Sequence, residues 1–511
     1  MNREKRFVVV CALTACFLAS IPYLWGLFIT NENFVFRGFT HNIDDVCVYL
    51  SWMRQAADGS PFITNLFTND PQSGRAFNVL FLLLGLFSRV TRIPLEITFH
   101  LARLLSGFFL VFVLWRFSRN FLTEERQRKI AVLLLCFTSG LGWVLGGPHS
   151  LTGSADLWQP ESVTFLSIYL NPLFCVSLML IIGGYDCLLK GRGVRAGLCL
   201  LLLGNIHTYD IVTFAAVWSV YLICLWIKER RFPARLVLMS LAAAVIALPS
   251  ALYQLYIYKI DPVYYARANS AALSPKVWMY FMGYGLTFLF ALWALVNRKI
   301  GTRLLPAVWA VAGFVTPYIP VGQQRKLVMG LHIPLCFLAA AAVAHITANM
   351  SRRGRVALIG AVLVLGCVSN AMFMGEDLYF LNNSTTAPRF SPFASRQELR
   401  AAAELRKVTP PGATIAAPPM NAVFLPYLTG RAVYMGHWSE TPDYRGKLNT
   451  LMNMLGYKTD LPKEEVRDAL MGVDAFLLSP EDTPPDGYEV VFGNEAFRVA
   501  KKIKVAVKFG N

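Results

Sequence analysis

The feature that most constrains the fold is a series of apolar runs, each roughly 20 residues long, which is the length that crosses the hydrocarbon core of a bilayer. These runs recur along most of a chain that is 55% hydrophobic and only 15% charged. The first run extends from Phe7 to about Ile29 and lacks the cleavage site of a signal peptide, so we predict that it is retained. The pattern predicts a multi-pass membrane protein. Further spans are predicted at about 97–118, 130–147, 163–189, 195–207, 210–228, 234–257, 277–296, 303–319, 327–347 and 355–374.

The basic residues are placed between these runs. Short clusters of Lys and Arg at 116–129, 190–195 and 352–355 separate successive spans. The positive-inside rule assigns such basic loops to the cytoplasm. The charge bias therefore favours about 11 transmembrane helices in the cell membrane, with the N-terminus in the cytoplasm and the C-terminus outside. It also accounts for the net charge of +17 without a nucleic-acid partner.

The composition changes near Gly375 to that of a water-facing domain. Ser395 and Glu398 form the capping box that opens a helix, and strand-like runs then alternate with helical stretches. The predicted fold class is mainly α, a polytopic membrane protein with interfacial helices and a C-terminal soluble α/β domain. The predicted boundaries are 1–374 for the transmembrane domain, with a first external loop at 30–96, and 375–511 for the extracytoplasmic domain.

An acidic and aromatic segment follows the first span directly. Its apolar residues fall on one helical face, which predicts a short amphipathic helix in the membrane interface. Asp44 and Asp45 stand at the start of this helix. Adjacent helical residues point in different directions, so the two carboxylates cannot share one proton as a dyad. One could face a reacting group, or both could simply cap the helix, because acids are favoured at helix N-termini.

Three further polar groups interrupt apolar sequence on the side predicted to be external. Asp156 lies in an outer loop, where ordinary loop polarity is the simpler interpretation. His207–Asp210 breaks an almost continuous apolar run; ionisable groups at membrane depth are costly and usually functional, although a plain turn fits as well. Gln324, Arg325 and Lys326 place two cations outside, where they could bind phosphate or only snorkel at a span boundary.

Several of these stretches resemble the C-type (GT-C) glycosyltransferase superfamily, with the nearer likeness to its protein O-mannosyltransferase and aminoarabinose-transferase branch and to uncharacterised bacterial relatives. The likeness rests on the long first span, the acidic helix at Asp45–Ala56, and Arg103 at the start of the next crossing. That branch usually has Asp-Glu where this chain has Asp44 and Asp45, so the choice of base stays open. Other similar stretches are Ser139–Trp143, Asn171–Pro172, His207–Asp210 and Gly436–Tyr444.

The resemblance implies transfer of a sugar, with inversion, from a polyprenyl-phosphate-linked donor to an extracytoplasmic lipid, glycan or protein acceptor. It implies Asp45 as the preferred catalytic base, followed by Asp44. Arg325, Lys326 and Arg103 are then expected to face the lipid phosphate, with membrane lipids as further partners. Asp156 is expected to orient the acceptor or to hold a divalent cation, Mg²⁺ or Mn²⁺; no other cofactor is implied. The remaining predicted substrate-binding residues are Tyr49, Arg54, His207, Asp210 and Gln324.

Three other classes of function stay open at this point. A non-catalytic scaffold or an inactive relative would keep the fold and lose the base. A transporter or flippase of envelope glycolipids would explain the broken apolar run at 195–228, because interrupted helices often form binding sites. It would not explain the external α/β domain, and the sequence shows no inverted repeat. A polysaccharide polymerase or ligase would differ mainly in taking a whole lipid-linked glycan.

Overall fold

The structure is a computed structural model of the chain, and it describes residues 3–146, 153–297, 300–301, 303–383 and 391–503. The end of the span predicted at 130–147 and two parts of the predicted C-terminal domain, 384–390 and 504–511, lie outside the described residues.

Helices dominate the chain. In the first half they are α1 Arg3–Leu18, α2 Ile21–Phe28, α3 Ile43–Asp58, α4 Val79–Thr91, α5 Leu95–Ser118, α6 Glu125–Phe137, α7 Thr164–Leu170, α8 Pro172–Leu189, α9 Gly193–Ile206, α10 Tyr209–Glu229 and α11 Ala234–Ile260. In the second half they are α12 Pro262–Ala268, α13 Val277–Val296, α14 Leu304–Val315, α15 His332–Ile346, α16 Arg352–Asn382, α17 Arg396–Val408, α18 Pro419–Ala422, α19 Leu425–Thr429, α20 Tyr444–Met454 and α21 Lys463–Met471. The strands are β1 Phe34–Phe36, β2 Phe393–Ser395, β3 Thr414–Ala416, β4 Ala432–Val433, β5 Ala475–Leu478, β6 Tyr488–Gly493 and β7 Arg498–Lys502.

Eight helical segments of the described chain are long and apolar enough to cross a membrane, and the pair α1 and α2, bent by 41°, would make a ninth. The spans predicted at 195–207 and 303–319 coincide with shorter apolar helices, α9 and Leu304–Tyr318. Eight or nine of the eleven predicted spans therefore reach full length in the part of the chain described. The polytopic membrane fold is confirmed.

The chain divides into two compact units. The first unit comprises Met1–Pro22, Phe99–Tyr256 and Ala271–Tyr379, and the second comprises Tyr23–Thr98, Ile257–Ser270 and Phe380–Asn511. The second unit thus groups the predicted first external loop with the C-terminal region. The predicted division at 374/375 stays a prediction.

In the first unit the span Gln324–Ile346 is buried from Leu327 to Ala344, and its helix α15 packs against α6 and α13. Helix α13 bends at Gly285, which has φ 43°. The turn at 139–142 passes directly over this bend, and a Cβ on Gly140 would come within 2.3 Å of the Gly283 backbone. Glycines on both sides therefore allow the two backbones to touch.

In the second unit a five-stranded sheet has the order β4-β3-β5-β7-β6. Strand β3 is parallel to β4 and β5, whereas β7 is antiparallel to β5 and β6. One half of the predicted capping box is present, because the Ser395 hydroxyl accepts the backbone N–H of Glu398 at the start of α17, whereas the Glu398 carboxylate pairs with Arg37. Strands β1 and β2 pair antiparallel and join the predicted first external loop to the start of the α/β region.

Candidate active site

Helix α3 carries the predicted catalytic acids, and protein covers its apolar face. Val46, Leu50 and Met53 are buried, and the helix packs against α4 and α19 within the second unit. The approach to α4 is close, since a Cβ on Gly85 would lie 2.3 Å from the Met53 carbonyl oxygen. The periodicity correctly predicted a helix with one apolar face, but periodicity cannot tell whether lipid or protein covers that face.

The two carboxylates at the start of α3 differ in exposure. The Asp44 side chain is 14% exposed and the Asp45 side chain is 54% exposed. Both face the fully buried imidazole of His437, whose Nε2 lies 3.5 Å from Asp44 Oδ2 and 3.4 Å from Asp45 Oδ1. These distances are longer than a well-formed N–H···O bond, so the contact is ionic and shared between the two acids. The structure therefore distinguishes the two acids: Asp44 is shielded, whereas Asp45 faces solvent.

The tautomer of His437 follows from its other nitrogen. The backbone N–H of Ser439 donates to Nδ1 at 3.2 Å, and the Ser439 hydroxyl lies 3.1 Å from the same atom. A nitrogen that accepts an N–H has its lone pair exposed and carries no hydrogen, so the proton of the neutral ring is on Nε2. The N–H of the imidazole therefore points at the acid pair.

The electrostatics of this cluster are coupled. Burial raises the pKa of Asp44, the nearby His437 lowers it, and the charge of Asp45 raises it again, with a net upward shift. Burial alone would lower the pKa of His437, but the close contact and charge of Asp45, together with Glu440 and Asp44, outweigh it and raise that pKa. The carboxylates thus favour a positively charged imidazole between them, in which Nδ1 also carries a hydrogen and the Ser439 hydroxyl at 3.1 Å accepts it in place of the N–H contact.

The second unit also contributes a positively charged side chain, Arg267, to this cluster. Arg267 from α12, with its side chain 34% exposed, pairs with Glu440 at 2.7 Å. Its guanidinium also lies over the ring of Trp52 on α3, 5.0 Å from the centroid. Asn65 donates to the backbone carbonyl of Glu440 at 2.7 Å and so fixes this loop. Charges of alternating sign therefore run from the acid pair through His437 and Glu440 to Arg267.

Tyr49 and Arg54, both predicted to bind substrate, contact other parts of the second unit. Tyr49 stacks on Phe81 of α4 with centroids 4.8 Å apart. The Arg54 Nε donates to the Tyr427 carbonyl at 2.8 Å, and burial lowers the pKa of its guanidinium. These contacts hold α3 against its neighbouring helices. A further contact with substrate stays a prediction.

The other predicted site residues lie in the first unit. Asp156 is fully buried, and its Oδ2 accepts the backbone N–H groups of Gly140 at 3.1 Å and Gly142 at 3.2 Å. Its Oδ1 accepts the hydroxyl of Ser154 at 2.6 Å. Burial raises the pKa of this carboxyl, while the hydroxyl and N–H donors oppose the shift. These contacts tie the 139–142 turn to the following loop; a role toward the acceptor stays a prediction.

Arg103 and the His207–Asp210 pair are also buried in the first unit. The Arg103 Nη1 donates to the carbonyls of Ala19 at 3.1 Å and of Ile168 and Tyr169 at 3.2 Å. These carbonyls lie where α1 and α7 end, where apolar surroundings offer no water to the free backbone groups. His207 Nδ1 lies 2.9 Å from Asp210 Oδ2, and Asp210 is completely buried. Whether these residues bind substrate stays a prediction.

Arg325 and Lys326 lie side by side in a short 3-10 helix, both half-buried. Arg325 is placed over the ring of Trp158 at 5.1 Å, and Lys326 over the ring of Tyr209 at 4.9 Å. No carboxylate of the described residues pairs with either cation. Gln324 accepts the Ser274 backbone N–H at 3.5 Å. The predicted role toward phosphate is compatible with these contacts and stays a prediction.

The residues do not fit the divalent cation considered for Asp156. No group of three or more His, Cys, Asp and Glu side chains that could hold a metal occurs among the described residues. The neighbours of Asp156 are two backbone N–H groups, which have no lone pair to offer a cation, and one hydroxyl, so the carboxylate and Ser154 would be the only oxygen ligands among these contacts.

Three residues of the cluster were not predicted as site residues: His437, Glu440 and Arg267. His437 and Glu440 lie in the stretch Gly436–Tyr444 whose resemblance to relatives was noted, and this was the available signal. Arg267 gave none, because a single arginine at the end of a short helix is ordinary and its partner lies far along the chain.

Comparison with known proteins finds the fold but no sequence family. Neither protein-family models nor curated proteins match this sequence. Among solved structures, ArnT from Cupriavidus metallidurans in the apo state is similar with a TM-score of 0.53 and 12% identity, over 96% of this chain and 97% of that one. The oligosaccharyltransferase of Archaeoglobus fulgidus in the apo form has a TM-score of 0.53 at 11% identity, over 92% and 69%.

The arabinofuranosyltransferase AftD from Mycobacteria has a TM-score of 0.56 at 13% identity; the match takes in 98% of this chain but only 40% of that one. Identities this low show the fold alone. All three proteins are GT-C glycosyltransferases, so the chain has the GT-C fold that the sequence resemblance implied.

Proposed function

We propose that this chain, a multi-pass membrane protein with the GT-C fold, transfers a sugar from a polyprenyl-phosphate-linked donor to an acceptor and uses Asp45 as the base. The observation that carries the proposal is the acid pair of α3, in which Asp45 is open to solvent while Asp44 is shielded. Proteins of the same fold supply the donor class: ArnT has been solved bound to undecaprenyl phosphate, and the archaeal AglB with dolichol-phosphate and an inhibitory peptide.

The chemistry needs one proton acceptor and one stabilised leaving group. Asp45 takes the proton of the acceptor group as that group attacks C1 of the sugar. A new bond to C1 forms on one face while the bond from C1 to the phosphate oxygen breaks on the other, which inverts the anomeric centre. Polyprenyl phosphate leaves with the electron pair of the broken bond. Because more than half of the Asp45 side chain is exposed, an acceptor can reach it.

Negative charge grows on the leaving phosphate, so a cation should stabilise the transition state. Arg267 supports this role in the second unit, because its side chain is partly exposed and belongs to the same charged cluster as Asp45. Arg325 and Lys326 are proposed for the same role in the first unit. Arg103 is the weaker candidate, since it is 1% exposed and its Nη1 is occupied by three carbonyls.

The proposed orientation puts the acid pair and the C-terminal domain outside. His437 contacts both Asp44 and Asp45, so the start of α3 and the C-terminal region of the second unit share one side of the membrane. We expect single cysteines at Asp45 or in the C-terminal domain to be labelled from outside, in a protein without its ten native cysteines. Cysteines at Arg128, Arg230 and Arg353 should react only after permeabilisation. Labelling of position 128 from outside would contradict the orientation.

The activity is tested directly with purified protein in lipid nanodiscs. Polyprenyl-phosphate-linked sugars are added with a crude acceptor fraction of lipids and glycans, and release of free polyprenyl phosphate is measured. Asp45→Asn is the matched control because it keeps the shape of the side chain. A flippase would move the donor and leave its sugar attached. Release that is equal in both proteins would remove Asp45 from the reaction, and no release with any donor would refute the proposed function.

A further inference from the structure

We infer that His437 is a positioning residue of this site, which holds the two acids of α3 in unequal roles and keeps the exposed one ready to accept a proton. The inference rests on the proposed function of Asp45 and adds a residue to it. His437 does not touch the acceptor in this account; it acts through Asp44 and Asp45.

The imidazole is fixed on every side that the structure describes. It is fully buried, its Nδ1 lies 3.1 Å from the Ser439 hydroxyl, which accepts the Nδ1 hydrogen when the ring is charged, and its ring meets Phe67 edge-on with centroids 6.0 Å apart. This leaves Nε2 aimed at the acid pair. Nε2 is buried and makes no hydrogen bond of regular geometry, although both carboxylates lie within 3.5 Å. A buried polar atom in that state is costly unless charge compensates it. The neighbouring carboxylates supply that charge.

The two neighbouring acids are stabilised in their charged forms by a positive charge close to them. Two carboxylates on adjacent residues repel each other, and burial of Asp44 adds to the cost of ionising both. An imidazolium 3.4 Å from Asp45 offsets this repulsion. The other charged groups of the cluster are Glu440, which favours the imidazolium, and Arg267, which pairs with Glu440. The contribution of His437 itself is to lower the pKa of Asp44, against the effects of burial and of Asp45.

Two substitutions separate the contacts of the ring. In His437→Asn the amide oxygen can still accept the Ser439 N–H but nothing reaches the acids. In His437→Gln the amide can donate to the acids but carries no charge. We expect the acid limb of the pH profile of kcat/KM to move to higher pH in both variants, by roughly one unit, because an opposite charge at this distance shifts a carboxyl pKa by about 1–3 units.

Asp44→Asn provides the opposing arm. It removes a negative neighbour of Asp45, so the acid limb should move to lower pH. His345→Gln, a histidine of the first unit that is exposed to solvent, should leave the profile unchanged. A purely structural role for His437 would lower turnover at every pH without moving the limb, and that result would overturn the inference.

A second readout does not depend on turnover. Titration of isotope-labelled histidine by NMR follows His437 directly, with its signal assigned by its loss in His437→Gln. We expect the His437 pKa to lie above the ordinary value of 6.5 and to fall in both Asp44→Asn and Asp45→Asn. A His437 pKa that neither substitution changes would overturn the inference even in an active enzyme. Coupled titration without any glycosyl transfer would instead refute the proposed function and leave the contact intact.

Discussion

Asp45 in the second unit and Asp156 in the first were both predicted as functional carboxylates, and their surroundings differ in kind. Asp45 stands at a helix start with its side chain 54% exposed and an imidazole 3.4 Å away. Asp156 is completely buried, and two backbone N–H groups and a hydroxyl donate to it. Donors of this kind occupy the lone pairs that would otherwise take a proton. A carboxylate that can act as a base is therefore distinguished from a structural one by its exposure and by its hydrogen-bond partners, and not by its residue type alone.

The largest effect of a single substitution is expected at Asp45. Asp45→Asn keeps the side-chain shape but removes the proton acceptor, so turnover should fall by roughly 10²–10⁴, the usual contribution of general-base catalysis. Folding and donor binding should persist, as measured by thermal unfolding and by lipid-phosphate binding. Asp44→Asn should cost less, because Asp44 is shielded. Equal and small losses at both positions would mean that the pair only caps α3.

At Asp156 we expect a loss of stability with little loss of turnover. Asp156→Ala leaves the N–H groups of Gly140 and Gly142 buried without their acceptor, at a cost of about 1–3 kcal/mol for each such group. Unfolding temperature should therefore fall while the turnover of the folded fraction stays close to normal. Asp156→Asn should recover part of the stability, since its carbonyl can still accept both N–H groups. Glu161→Gln, in the same loop and only partly buried, is the matched control. A stable Asp156→Ala protein with lost turnover would show that Asp156 acts in the reaction and not in the fold.

The cations of the two units can be compared in the same way. A lost contact between a cation and the leaving phosphate should raise the KM for the donor roughly tenfold or more, since hydrogen bonds to charged groups contribute about 1.5–3 kcal/mol. We expect this for Arg267→Ala, Arg325→Ala and Lys326→Ala, with the KM for the acceptor changed less. Arg325→Lys should keep part of the effect, because the ammonium lacks the bidentate fork. If Arg325→Ala and Lys326→Ala both leave the donor kinetics unchanged, these two side chains only snorkel at a span boundary.

The smallest expected effect is the dependence of stability on pH. The pKa of His437 is raised in the folded protein, so protonation stabilises the fold. This contribution is fully present below the ordinary pKa of 6.5 and is lost as pH rises through the raised value. The unfolding temperature should fall between pH 6 and pH 8 in the unmodified protein and fall less in His437→Gln. An identical slope in both proteins would show that His437 does not titrate with folding.

Much of the fold could be predicted because its signals are local. The length of each apolar run predicts a span, and the spacing of apolar residues from Val46 to Met53 predicts one helical face. The capping residues Ser395 and Glu398 are three apart and predict the start of α17 in the same way. The lengths of the shorter helices α9 and Leu304–Tyr318 were harder to predict, because hydropathy detects an apolar segment more reliably than the residues at which its helix begins and ends.

Local patterns in the sequence are enough to predict the membrane fold, the C-terminal α/β domain, and the presence of two acids at the start of a helix. Only the tertiary structure decided that Asp44 is shielded while Asp45 is open, and that His437, Glu440 and Arg267 join them. Exposure depends on which surfaces cover a helix, and the partners come from segments far apart along the chain. Chain folding brings these groups together through the packing of the second unit, and no local spacing records that packing.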